Sequence, residues 1–145
     1  MESIAERAGL GASTVYRHFP SRDDLMEAVL SELISAVREN AARADDMDDA
    51  AEAFRFVFAQ SCVMPESHVR AFADIAASSP RLGAHAQHLI EETVRPVTER
   101  ALEINRLRDG LSVADVAALV RLVDATDTPQ RRRLATDLLL EGMLR

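Results

Sequence analysis

The sequence predicts an all-α fold, and three observations carry that prediction. Apolar residues recur at helical spacing, as Leu25, Val29, Leu33 and Val37 do. Caps punctuate the chain: Ser21-x-x-Asp24, Ser79-Pro80, Ser112-x-x-Asp115 and Thr128-Pro129 each pair a hydroxyl with the carboxylate or proline that opens a helix. Alternating β-branched runs, hairpin dipeptides and internal repeats are absent.

In chain order, Ile4, Ala5 and Ala8 share one face of a first helix that Gly9 stops. Leu10 and Gly11 make a turn, and a second helix of less than two turns starts near Ala12, with Val15 and Phe19 facing inward. The Ser21 capping box opens a long helix expected as one piece over residues 22–43. The acidic turn DDMDD closes it and caps AAEAFRFVFAQSCV, and Pro65 opens the shorter ESHVRAFADIAA. Ser79-Pro80 starts a long segment reaching about Ile104, which Pro96 is expected to kink. Asp109-Gly110 marks the following turn, and Ser112 and Thr128 cap the last two helices.

Composition narrows the function classes. With 48% hydrophobic and 28% charged residues, the 145 residues suffice for one good core or a small module plus a larger one. No apolar run reaches the ~20 residues of a membrane span, and MESIAER lacks a secretory pattern. Cys62 is the single cysteine, so a reducing cytoplasm is the expected setting. The net charge of −7 opposes a nucleic-acid binder that uses its whole surface. Residues 1–22, however, hold three arginines against two glutamates.

The opening segment therefore becomes the place to look. Helix, glycine turn and helix is the helix-turn-helix arrangement, whose second helix enters the DNA major groove. Gly11, Ala12 and Ser13 are small enough to let that helix approach a phosphate or a base edge closely. Tyr16 and His18 carry tips that donate to phosphate oxygens, and Arg22 lies at the start of the next helix. A bundle that uses Tyr16 and His18 merely as caps is the structural alternative.

IAERAGLGASTVYRHFPSRDDLMEAVL resembles the DNA-binding region of the TetR (tetracycline repressor) family of one-component bacterial regulators. The matching features are IAxxAG, the Thr-x-Tyr-x-x-Phe of the recognition helix and the Pro-Ser-Arg step into a long helix. The resemblance implies DNA contacts from Ala12, Ser13, Thr14, Tyr16, Arg17, His18 and Arg22. Tyr16, His18 and Arg22 would hold phosphates, and Arg17 is the one long side chain placed to read bases. In the family a further helix, ending in a Ser or Thr cap, precedes this one. That cap would fall just before Met1, so the chain is expected to be truncated there and to bind operator DNA poorly or not at all.

Residues 1–38 are accordingly expected to form the helix-turn-helix region with the start of the connector, and residues 39–145 an effector-binding and dimerisation domain. Candidate ligand-lining residues are Phe54, Phe58, Cys62 and Phe72, with His85, His88 and Leu89 from the long helix. For any one of them taken singly, plain core is the better reading. Met64 and Glu92 stand beside them, and His68 reads as surface. His85, His88 and Glu92 share a stripe, but one helix alone does not complete a metal site, so no metal or cofactor is expected.

Val113, Val116, Ala117 and Val120, widened by Leu119 and Leu122, and the leucine-rich last helix read as a homodimer interface. Arg131–Arg133 reads as a solvated face. No catalytic motif organises Cys62 and the histidines, so an enzyme is not expected. The reading is a repressor that binds a pseudo-palindromic double-stranded operator as a homodimer and is released by a small-molecule effector. The alternative is a truncated helical dimerisation module that does not bind an operator.

Overall fold

The computed structural model describes residues 1–145, and every regular element is a helix. In order they are α1 (Glu2–Arg7), α2 (Ala12–His18), α3 (Arg22–Leu33), α4 (Ser35–Ala44), α5 (Ala50–Ser61), α6 (Glu66–Ala77), α7 (Pro80–Glu103), α8 (Val113–Asp124) and α9 (Pro129–Met143). The one extended pairing is an isolated bridge between Leu107 and Leu144.

The caps act where the sequence puts them. Ser21 and Ser112 form reciprocal capping boxes with Asp24 and Asp115. Ser79 accepts from the Leu82 N–H, Thr128 from the Arg131 N–H, and Asp49 from the N–H groups of Ala51 and Glu52. These bonds hold the Asp115 and Asp49 carboxyls below their ordinary range, Asp115 chiefly through the Ser112 hydroxyl and Asp49 through the two backbone N–H groups. Gly9 ends α1 at φ +68°, a left-handed turn that an L side chain resists, and α1 then folds back onto α2.

The expected single helix over residues 22–43 is in fact two. The backbone leaves helical geometry at Ile34 (φ −103°, ψ 7°), which ends α3 and starts α4. The reason is tertiary. Leu30 and Ile34 are buried with Leu82, Ala86 and Leu89, which fixes α3 against α7 with α6 alongside, whereas α4 packs on α5 and α7. A straight rod cannot follow both surfaces, so the chain turns at the residue where the partner changes.

Helix α7 is the axis of the body. Leu82, Ala86, Leu89, Ile90, Val94, Val97 and Ala101 are buried along it, and α3, α4, α5, α6 and α8 all pack on it. Pro96 lies on its exposed side, and the helix continues through it to Glu103. The buried Thr93 and Thr98 hydroxyls donate back to the Leu89 and Val94 carbonyls, so neither is left unpaired. The main core joins Phe54, Val57 and Phe58 of α5 to Val94 and Val97 of α7 and Val116, Val120 and Val123 of α8.

Two expectations for the C-terminal helices change. Val116, Ala117 and Val120 are fully enclosed in the protomer's own core, with Val113 packed against it, so that stripe is not a free face. The exposed apolar residues on these helices are Leu122, Leu134 and Leu138, at 62%, 60% and 58% exposure. Arg132 is buried at 8% exposure beneath α9, whereas Arg131 and Arg133 are solvated. A run of three adjacent helical residues necessarily spans most of the helix circumference, so one of them turns inward.

Leu30 tests the packing of α3. Leu30→Ala is expected to lower unfolding free energy by about 2–5 kcal/mol in urea titration, the cost of an unfilled site beneath a fully buried leucine. The exposed Leu122→Ala is expected to change it by less than about 0.5 kcal/mol in the isolated protomer.

Candidate functional site

The α1–α2 hairpin presents a polar face built on a small apolar back. Val15 is buried at 7% exposure and Phe19 is half-buried, which anchors α2 from behind. Opposite them, Ser13, Tyr16, Arg17 and His18 are exposed, Ala12 and Thr14 are half-buried, and Arg22 is exposed at the start of α3. All seven residues expected to meet DNA thus lie on or beside this short helix. Neither Arg17 nor Arg22 is engaged by a carboxylate of the chain. Their charges remain available to an external anion.

The helix that follows is tied to the body by polar contacts at its start, in addition to the buried packing of Leu30 and Ile34. Arg81, in the first turn of α7, donates Nη2 to Asp24 (2.7 Å) and Nε to Glu27 (2.8 Å), both on α3. The Ser79 hydroxyl donates to Asp23 at 3.2 Å. The Ser21 hydroxyl, then Arg81, holds the Asp24 carboxyl below its ordinary range. The pairs are half-exposed, so each is individually weak, but one guanidinium bridging two carboxylates fixes an orientation.

Inside the body, a cavity of about 30 Å³ lies where α3–α4, α5, α6, α7 and α8 meet. Ile34 and Val37 line it from the α3–α4 joint, Ser61 from α5, and Met64, Val69 and Phe72 from α6 and its lead-in. Ile90 and Thr93 come from α7, and Val120 and Asp124 from α8. The wall is mostly apolar. Of its polar groups, the Ser61 hydroxyl donates to the Val57 carbonyl (2.8 Å) and the Thr93 hydroxyl to the Leu89 carbonyl (2.7 Å). Both protons are committed to backbone carbonyls, which leaves only the oxygen lone pairs of these two hydroxyls. Asp124 Oδ1 is shielded from solvent, and no donor of the chain reaches it. Burial pushes the Asp124 carboxyl up to about 6, an effect the nearby Arg132 charge opposes without forming an ion pair.

The expected ligand-lining residues do not converge on this cavity. Phe54 and Phe58 stack on each other, with ring centroids 6.0 Å apart, in the main core. Cys62 is buried and faces the groove between α5 and α9, lined also by Arg132 and Thr136. Burial pushes its thiol up to about 12, so it carries no thiolate at neutral pH. Leu89 packs beneath α3. His88 is exposed, with Nε2 3.3 Å from Glu92, and His85 is half-buried with its Nε2 shielded and unpaired. Phe72 alone of the seven reaches the cavity wall. No three His, Cys, Asp or Glu side chains come together as a metal-ligand set.

Asp124 had a legible signal in the sequence. It stands four residues after Val120 and eight after Val116, in register with the buried face of α8. A carboxylate at that register is either paired or directed into a space.

Comparison with known proteins bears on the hairpin and on the fold. Residues 1–29 match the family described as bacterial regulatory proteins, tetR family. No curated protein sequence matches the chain significantly. Among solved structures, a putative TetR-family transcriptional regulator from Rhodococcus sp. superposes with a TM-score of 0.72 at 16% identity. The TetR transcriptional regulator SCO0520 from Streptomyces coelicolor gives 0.61 at 23% identity. Each alignment covers 99% of this chain and 86% of the other. PfmR, a TetR family transcriptional regulator from Thermus thermophilus, gives 0.57 at 22% identity, covering 99% of this chain and 88% of PfmR.

Asp124 makes stability depend on pH with a defined sign. Its folded-state value of about 6 lies above the ordinary 3.8, so the folded chain holds the proton more tightly than the unfolded one. The carboxyl therefore becomes destabilising as pH rises from about 4, and the full cost is present above about 6. Asp124→Asn is expected to raise unfolding free energy by about 1–3 kcal/mol at pH 7.5. That gain should shrink towards zero at pH 4, as measured by urea titration at the two pH values.

Proposed function

We propose that this chain, which has the TetR fold and the family's N-terminal signature, is a ligand-responsive transcriptional regulator. It binds a pseudo-palindromic operator as a homodimer and represses by occupying it. The observation that carries this reading is the outward face of α2. Tyr16, Arg17 and His18 stand exposed over a buried Val15, with Arg22 beside them and no internal carboxylate engaging the arginines. Tyr16, His18 and Arg22 suit phosphate oxygens, and Arg17, with Ala12, Ser13 and Thr14, suits the groove edge.

Residues 1–38 form the DNA-binding unit in this reading, and residues 39–145 the effector-binding and dimerisation unit of a cytoplasmic, non-enzymatic protein. The exposed Leu122, Leu134 and Leu138 on α8 and α9 supply the apolar face for a second copy. Two-fold symmetry then sets two copies of α2 about one helical turn of DNA (~34 Å) apart, or a multiple of it. The effector enters the cavity beside Ile34. Because Ile34 is both cavity wall and the joint between α3 and α4, a guest that moves it changes the angle at which α3 carries the hairpin. The Arg81 tie to Asp24 and Glu27 passes movement of α7 to the same helix.

A gel shift with the DNA upstream of the chain's own gene tests the reading. The dimer is expected to bind at low salt. Arg22→Ala, which removes a phosphate contact, is expected to weaken binding uniformly and to reduce the salt slope by about 1. Leu138→Glu is expected to give monomers in sedimentation and to lose operator binding while keeping its helical signal. A stable dimer that binds no DNA at low salt would point instead to a dimerisation module.

A further inference from the structure

We infer that the cavity accepts a lipophilic cation, a protonated amine on an apolar body, with the Asp124 carboxylate as its counter-charge. The inference rests on the effector role given to this cavity above and names the class of effector.

The chemistry of the wall points one way. Ser61 and Thr93 have committed their protons to the backbone carbonyls of Val57 and Leu89, so only oxygen lone pairs remain for a guest. Asp124 adds a carboxylate oxygen that no donor of the chain reaches. No polar side chain lining the cavity offers a donor, so a carboxylate or phosphate guest would meet acceptors alone. An ammonium group supplies the missing donors and the opposite charge together, and such charge-assisted bonds strengthen away from water. The rest of the wall, including Val37, Phe72 and Ile90, is apolar and suits a hydrocarbon or aromatic body.

Arg132 is the nearest competitor for Asp124. Its charge acts on the carboxyl, yet no ion pair forms, and its own Nε is also without a partner. It lines the groove between α5 and α9 that Cys62 faces, not the cavity. The carboxylate therefore has a cation within electrostatic range and none in contact.

At about 30 Å³ the resting cavity has room for about two water molecules, so the guest must open it. Helix α6 is the wall suited to give way, because it contains no fully buried residue. Its contributions, Val69 and Phe72, are half-buried, and the preceding Met64 is long and flexible. The opposite wall is Ile34 and the α7 face, so expansion bears on the α3–α4 joint.

Three probes of similar shape and different charge test this: phenethylammonium, 2-phenylethanol and 3-phenylpropanoate, followed by thermal shift and by fluorescence of Phe72→Trp at pH 7.5. The ammonium is expected to bind roughly ten- to hundred-fold more tightly than the alcohol, and the carboxylate more weakly than either. Asp124→Asn is expected to bring the ammonium down to the alcohol's affinity, with a much smaller change in alcohol binding and an unchanged helical signal. Asp124→Glu, which keeps the charge, is expected to retain part of the preference.

Equal ammonium binding by the wild type and Asp124→Asn overturns the proposal. So does tighter binding of the carboxylate, which would favour a site centred on Arg132. Failure of all three probes to bind the wild type overturns it as well. Gel shifts of the unliganded wild type and Asp124→Asn separate this inference from the one beneath it. Operator binding without an ammonium response sinks the effector class alone, whereas absent operator binding sinks the regulator reading.

Discussion

Packing along α7 is the constraint on which the rest of the structure depends. One helix of 24 residues buries side chains against five neighbours, so its inner face is divided among them. Its first turns face α3, with Leu82, Ala86 and Leu89 under Leu30 and Ile34. Its later turns face the main core through Val94, Val97 and Ala101. Rotation or translation of α7 therefore disturbs both clusters together. Interiors at crystal-like density resist such changes until an alternative packing is reached, which is the behaviour a two-state regulator requires.

The elements were legible because their determinants are local. Ser21, Ser79, Ser112 and Thr128 satisfy free N–H groups within three residues of themselves, and a short window contains everything that decides those starts. Ile34 was illegible for the opposite reason. Nothing between residues 22 and 43 breaks the helical pattern, and the turn there reflects a change of packing partner that only the fold supplies. The same distinction separates the two sites. The face of α2 follows from periodicity over seven residues, with Val15 giving the inside and hence the outside. The cavity takes its walls from five parts of the chain, so no single stripe shows it. Phe54 and Phe58 do share a face, but that face meets Val94 and Val116 instead of a space. Arg132 adds the same lesson: the run of arginines was visible, and which of them turns under the helix was not.

Charge distribution gives the molecule a direction. Residues after Arg22 carry a net −8 and the preceding hairpin region a net +1. An acidic body beside a polyanion is repelled at every orientation except those that place the hairpin first. For the regulator proposed above, the same asymmetry would lower affinity for DNA in general and favour one angle of approach. Asp24 and Glu27, which lie close to the hairpin, have Arg81 in contact with them, so part of the acidic charge nearest the hairpin is already paired.

The cavity's position explains how a small guest could act at a distance with modest energy. Coupling between two sites of 1–3 kcal/mol changes affinity about 5- to 150-fold, and the guest need only prefer one packing of the joint by that amount. Ile34 is buried at 5% exposure, lines the cavity and ends α3, so its side chain belongs to the guest's surroundings and its backbone to the lever. Asp124 contributes from the other end of the same space. Asp124 is half-buried, with one carboxylate oxygen shielded and unpaired; that oxygen raises the energy of the guest-free state, and a cation removes the penalty only when it is seated there. The preference for the occupied packing then comes from relief of a cost already present in the resting fold, which lets a guest with few contacts shift the balance at the joint.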